Sequence, residues 1–173
     1  MNRRALALTA AAATTVVVGG GALAYTLASA DPGSQEPAPA PALDASCAEN
    51  LDGAVTELPG QAEDGRRNFI ECRSGSWQAF TAEYPSSDRW LSNDTGLQLH
   101  GQGVRNAEMF AGTWTGTPQT PDTVCTTKYS DATGGKIADP VTATADPGQP
   151  VSFEASDWLF SVTLTGDCLW KRD

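Results

Sequence analysis

Apolar and polar residues alternate along several short runs of this chain. The most regular run lies near the C-terminus, where Trp158, Phe160, Val162 and Leu164 fall at every second position, with Leu159, Ser161, Thr163 and Thr165 between them. As a strand, this segment would carry one large apolar face that needs a core. Strand-like runs cover 77–84, 97–100, 109–117, 123–129, 141–145, 151–155 and 158–165. Clusters of Gly, Pro, Asn and Asp separate these seven runs, a pattern that predicts an all-β domain built as a small antiparallel β-sandwich or barrel.

The clearest turn is Asp146-Pro147-Gly148-Gln149. Proline presets φ at its second position and glycine accepts positive φ at its third, as a type II turn requires. Val141, Ala143 and Ala145 on one side would then face Val151, Phe153 and Ala155 on the other. Ser156-Asp157 separates this pair from the Trp158 run, which predicts a three-stranded meander at the C-terminus. Between Ser46 and Cys72 the pattern is weak. Short helical turns are expected at 47–51 and 66–70, but Gly53, Pro59, Gly60 and Gly65 interrupt anything longer, so this stretch reads as irregular and held by a disulfide.

The N-terminal part is of a different kind. Arg3 and Arg4 precede an uncharged run over 5–30 that ends in Ala28-Ser29-Ala30, the features of a secretory signal peptide. The run is also long enough to remain as an uncleaved anchor, and in either case the chain after Ala30 is expected outside the cytoplasm. Residues 31–44 carry Pro32, Pro37, Pro39 and Pro41 and read as an extended Pro/Ala-rich linker. The disulfide-braced β domain is then expected over 45–173.

An exported chain with an even number of cysteines favours disulfides. Cys47, Cys72, Cys125 and Cys168 allow three connectivities. Pairing Cys47 with Cys72 and Cys125 with Cys168 keeps each bridge within one half of the domain and is the expected arrangement. The chain carries a net charge of −10, and all 21 acidic residues lie beyond Ala30. Nucleic acid is therefore not expected as a partner.

Candidate chemistry is sparse. His100 is the sole histidine, so nucleophilic catalysis on a Ser/His or Cys/His pair has little to work with, and no metal or cofactor is expected from the motifs present. Paired carboxylates would suffice for a small secreted hydrolase, with Glu83, Glu108, Asp122, Glu154 and Asp157 as candidates in or beside strands. Asp131 and Asp139 flank a glycine-rich loop but lack an ordered calcium-ligand pattern. Of the five tryptophans, Trp77, Trp114 and Trp158 lie in alternating runs and are expected in the core, whereas Trp90, within Ser-Ser-Asp-Arg-Trp-Leu, is the candidate for an exposed contact surface.

From Gly103 onward the order of features resembles a small exported actinobacterial β-rich domain with a V-G-x-D-I-x-P-G-T-Y motif, a following cysteine and a closing G-C-x-W. Here the motif reads Arg105-Asn106-Ala107-Glu108-Met109-Phe110-Ala111-Gly112-Thr113-Trp114, the cysteine is Cys125, and the ending is Gly166-Asp167-Cys168-Leu169-Trp170. The resemblance spans 103–172 and implies an extracellular module in which Cys125 and Cys168 pair. It implies no particular activity. The expected function is a non-catalytic secreted or envelope-associated module that binds an extracellular protein or glycan. The alternatives are the carboxylate hydrolase and a secreted protease inhibitor presenting the 116–124 loop.

Overall fold

The computed structural model describes residues 39–62 and 64–173, so the expected leader and positions 31–38 of the linker lie outside the described residues. Twelve strands form two sheets. In chain order they are β1 (Val55–Gln61), β2 (Arg67–Arg73), β3 (Ser76–Ala79), β4 (Arg89–Leu91), β5 (Leu97–His100), β6 (Gly112–Pro118), β7 (Thr126–Thr133), β8 (Lys136–Ile137), β9 (Val141–Thr144), β10 (Val151–Ala155), β11 (Leu159–Thr165) and β12 (Cys168–Arg172). The larger sheet runs β10-β6-β12-β4-β1-β2-β3, and the smaller runs β5-β11-β7, with β8 and β9 both paired to β7. All pairings are antiparallel except β1 with β4, which meet in parallel at Val55 and Trp90. The expected all-β sandwich is the fold.

The sheets bury a shared core. Val55, Phe69, Trp90, Trp114, Phe153 and Trp170 from the larger sheet pack with Leu97, Leu99, Leu159, Val162 and Leu164 from the smaller. Aromatic pairs run through it: Phe69 meets Trp90 edge-on with ring centroids 5.6 Å apart, and Phe153 meets Trp170 edge-on at 6.1 Å. A second core lies on the opposite face of the larger sheet, where Leu51, Ala54, Ile70, Trp77, Leu91 and Leu169 pack with Cys72. The segment around a short 3-10 turn at Glu49–Leu51 covers it, and the Cys47–Cys72 bridge pins that segment down.

Both disulfides join the expected partners. In the chain-entropy account, loops of 25 and 43 residues give about 3.5 and 4 kcal/mol of stabilisation.

Three expectations are corrected. Residues 46–72 are not irregular: apart from the 3-10 turn they supply β1 and most of β2. Pro59 and Gly60 fit inside β1 because the register with β2 shifts between Glu57 and Gln61, and β4 meets β1 only at Val55, leaving no ladder for proline to break. The C-terminal meander does not form. The turn at 146–149 exists, with Gln149 N–H on the Asp146 carbonyl and Gly148 at φ 71°. However, β9 pairs with β7, β10 with β6 and β11 with β5 and β7, so the chain changes sheet at each connection.

The Trp158 run does not present a single apolar face. Register shifts between Leu159 and Ser161 against β7, which leaves Phe160 as an extra residue. Such a bulge exchanges the two faces of a strand. Leu159, Val162 and Leu164 therefore enter the core, while Trp158 is 60% exposed.

Gly116 marks the tightest approach in the larger sheet, since a Cβ there would stand 2.7–2.8 Å from three atoms of the Trp170 ring. Gly116→Ala is expected to cost about 1–3 kcal/mol, because strands β6 and β12 cannot separate without opening the core. Urea unfolding of wild type and variant measures this directly.

Candidate binding face

Trp90 belongs to the shared core and is fully buried, so it offers no contact surface. Its polar neighbours in sequence turn away because alternate residues of β4 point to opposite faces. Trp158 is instead the exposed tryptophan. It precedes β11 in the turn from β10, and its backbone is fixed at three places. Its N–H donates to Ser156 Oγ at 3.1 Å, its carbonyl accepts from Ala132 N–H at 2.8 Å, and Gly103 lies so close that a Cβ there would come within 2.5 Å of that carbonyl. Ala132 pairs in turn with Ile137 of β8, itself 58% exposed. Trp158, Ala132 and Ile137 therefore form a row across one end of the smaller sheet.

The rest of that outward face follows from alternation. Leu97, Leu99, Thr127, Val162 and Leu164 are buried, so Gln98, His100, Thr126, Thr142, Thr144, Ser161, Thr163 and Thr165 point outward. Thr126 and Thr144 are cross-strand partners with hydroxyls 3.1 Å apart. Lys128 and His100 are the titratable side chains on this face. None of the outward-pointing residues of β5, β7, β9 and β11 is a carboxylate; Glu108 meets His100 at the edge of the face, and Asp157 precedes Trp158 in the turn.

The carboxylates expected as a hydrolytic pair lie on separate elements. Glu154 of β10 accepts from the Thr113 hydroxyl at 2.8 Å. Glu83, Asp122 and Asp157 are exposed in loops. Glu108 is buried, and both of its oxygens are engaged: Oε1 accepts from Arg67 Nη1 at 2.7 Å, and Oε2 accepts from His100 N–H at 2.8 Å and faces His100 Nδ1 at 3.3 Å. No two of the five share a hydrogen-bond partner.

Arg67 links this carboxylate to the larger sheet. It forms a two-point pair with Glu57 at 2.9 and 2.5 Å, donates to the Gln98 carbonyl at 2.6 Å, and lies over the Phe69 ring at 4.5 Å. Burial opposes its charge, but the hydrogen bonds and field of Glu57 and Glu108 outweigh that and hold its pKa above the ordinary value. The cluster is a closure. Glu108 and Arg67 bind the outward backbone groups of His100 and Gln98, which capping replaces the missing neighbour of edge strand β5.

Among the described residues no group of three His, Cys, Asp or Glu side chains is placed to hold a metal ion. Of the 116–124 stretch expected as an inhibitory loop, 116–118 belong to β6; the remaining 119–124 are braced by Cys125–Cys168 and by the 146–149 turn, where Gly148 N–H bonds the Thr123 carbonyl at 2.9 Å. An open groove of about 410 Å³ lies between Pro118–Pro121 and Pro147–Gln149.

The chain matches no known protein family, no curated protein and no solved structure. The missed residue, Trp158, had one usable signal: it directly follows the Ser-Asp turn, where a strand's facing is not yet set.

Two outcomes are expected. Arg67→Ala should destabilise by about 2–4 kcal/mol, since it leaves the buried Glu108 carboxylate without its cation, and Glu108→Ala by about 1–3 kcal/mol, since Arg67 keeps Glu57 but the His100 N–H loses its acceptor. The double variant should cost less than the sum, as a denaturation-based cycle will read. Asp167 behaves oppositely: partial desolvation, then the field of Asp94, raises its pKa above the ordinary carboxylate value. The folded state therefore holds this proton more tightly, and stability falls as pH rises through the raised pKa. Asp167→Asn should unfold at a higher temperature than wild type at pH 7, and the difference should vanish near pH 3, where both states are protonated.

Proposed function

We propose that the chain is a non-catalytic, extracytoplasmic interaction module that holds a protein or glycan partner outside the cell or in its envelope, on the outward face of the smaller sheet around Trp158. The observation that carries this reading is a single large indole, 60% exposed, on a backbone fixed by Ser156, Ala132 and Gly103. A rigid aromatic loses little freedom when it meets a partner, so most of its contact energy remains available for affinity. Two disulfides are compatible with an oxidising, extracytoplasmic location.

The test is crosslinking capture from native envelope and culture medium, comparing the full chain with Trp158→Ala. The variant should recover about tenfold less partner at an unchanged unfolding midpoint, which corresponds to loss of one aromatic anchor. Equal recovery by both proteins, or no reproducible partner, would count against this reading.

A further inference from the structure

The chemistry of the same face narrows the partner, and this step rests on the binding-module reading above. We infer that the ligand is an uncharged polysaccharide, one ring of which stacks on Trp158 while neighbouring sugars meet the hydroxyl rows of β11, β7 and β9.

The exposed apolar surface is small. Trp158 exposes on the order of 150 Å² of a large aromatic side chain, and Ile137 adds a smaller amount beside it. A stable protein interface buries about 800 Å² on each partner around an apolar centre. This patch is far smaller than such a centre, whereas it suits one or two sugar rings, which present a flat C–H face to an indole and hydroxyls around the edge.

Charge points the same way. The chain carries −10 overall, yet none of the outward-pointing strand residues of the smaller sheet is an acid, and the Glu108 carboxylate at its edge is neutralised by Arg67. It presents Thr126, Thr142, Thr144, Ser161, Thr163 and Thr165, with Lys128 as its one permanent charge. A polyanionic glycan would be repelled by the acidic surroundings and find only one cation here. An uncharged glycan meets no such penalty.

Hydrogen-bonding capacity also fits a sugar. Each hydroxyl is both donor and acceptor, as is each hydroxyl of a sugar. Threonine is restricted at χ1, so these hydroxyls sample few positions before any ligand arrives. Along β11 the face extends for ~20 Å, enough for a chain of several sugars to lie on it.

The test uses the full chain in affinity electrophoresis and calorimetry against soluble glucans, mannans, xylans and galactans, with pelleting on cellulose and chitin. At least one of these uncharged polymers should retard or retain the wild type, with little dependence on salt. Trp158→Ala should weaken that binding at least tenfold, Trp158→Phe should retain most of it, and Thr142→Val with Thr163→Val should weaken it about threefold, all at an unchanged unfolding midpoint. Binding that survives Trp158→Ala would overturn the site. Binding confined to anionic polysaccharides and lost with salt would overturn the ligand class. Trp158-dependent capture of a protein, with no polysaccharide bound, would overturn this inference and leave the binding-module reading standing. No Trp158-dependent ligand of any kind would overturn both.

Discussion

The centre of the larger sheet is buried on both faces, and the rest of the structure depends on that double burial. Three strands place apolar residues at adjacent positions: Phe69-Ile70 on β2, Trp90-Leu91 on β4 and Leu169-Trp170 on β12. One residue of each pair enters the core between the sheets and the other enters the core beneath the 3-10 turn. Trp170 is the tightest point of this arrangement. Its ring lies against Gly116, and its Nε1–H donates to Ser92 Oγ, which itself donates to the Gly166 carbonyl where the chain changes sheet. A buried indole and a buried hydroxyl thus satisfy each other, and the crossover is tied to the core.

Around this centre the open edges are closed by different means. Beside β3 the chain itself adds a partial strand, with Ser46 bridging Ser76. Beside β5 the closure is made by side chains, since Arg67 and Glu108 bind the carbonyl of Gln98 and the N–H of His100. The edge formed by β8 and β9 is broken by Ala138, Asp139 and Pro140 and begins with Lys136, features that discourage pairing with another chain. The charged groups nearest the two sheets' shared rim are therefore occupied in holding edges shut, which accounts for Glu108 being buried without serving as a free acid or base.

Much of the fold was readable from the residues, and the failures have physical causes. Strands β5 and β10 coincide with their alternating runs, because one face of each is buried and the other meets water. Strands β2, β4 and β12 are hidden in the sequence because adjacent apolar residues erase the two-residue period when both faces are covered, and β1 is hidden by Pro59 and Gly60. The disulfides were readable because each closes a loop within one half of the chain. Trp158 and Trp90 exchange their expected places: one extra residue at Phe160 turns the first outward, and the polar run before the second conceals that it continues into a buried strand. A bulge leaves no mark in a hydrophobic pattern until the partner strand is known.

The positions of the two cystines govern how a pull on this chain would travel. Within a few residues of joining the domain beside β3, the backbone is bonded covalently to β2 through Cys47–Cys72. Tension from the N-terminal side would pass through that sulfur bridge and skip the intervening segment, and it would skip again from Cys125 to Cys168. Strands β7, β8, β9 and β11, with Trp158 among them, all lie inside the second bypassed loop. The hydroxyl-rich surface around the indole would thus stay unstretched while force ran along the backbone on either side of it.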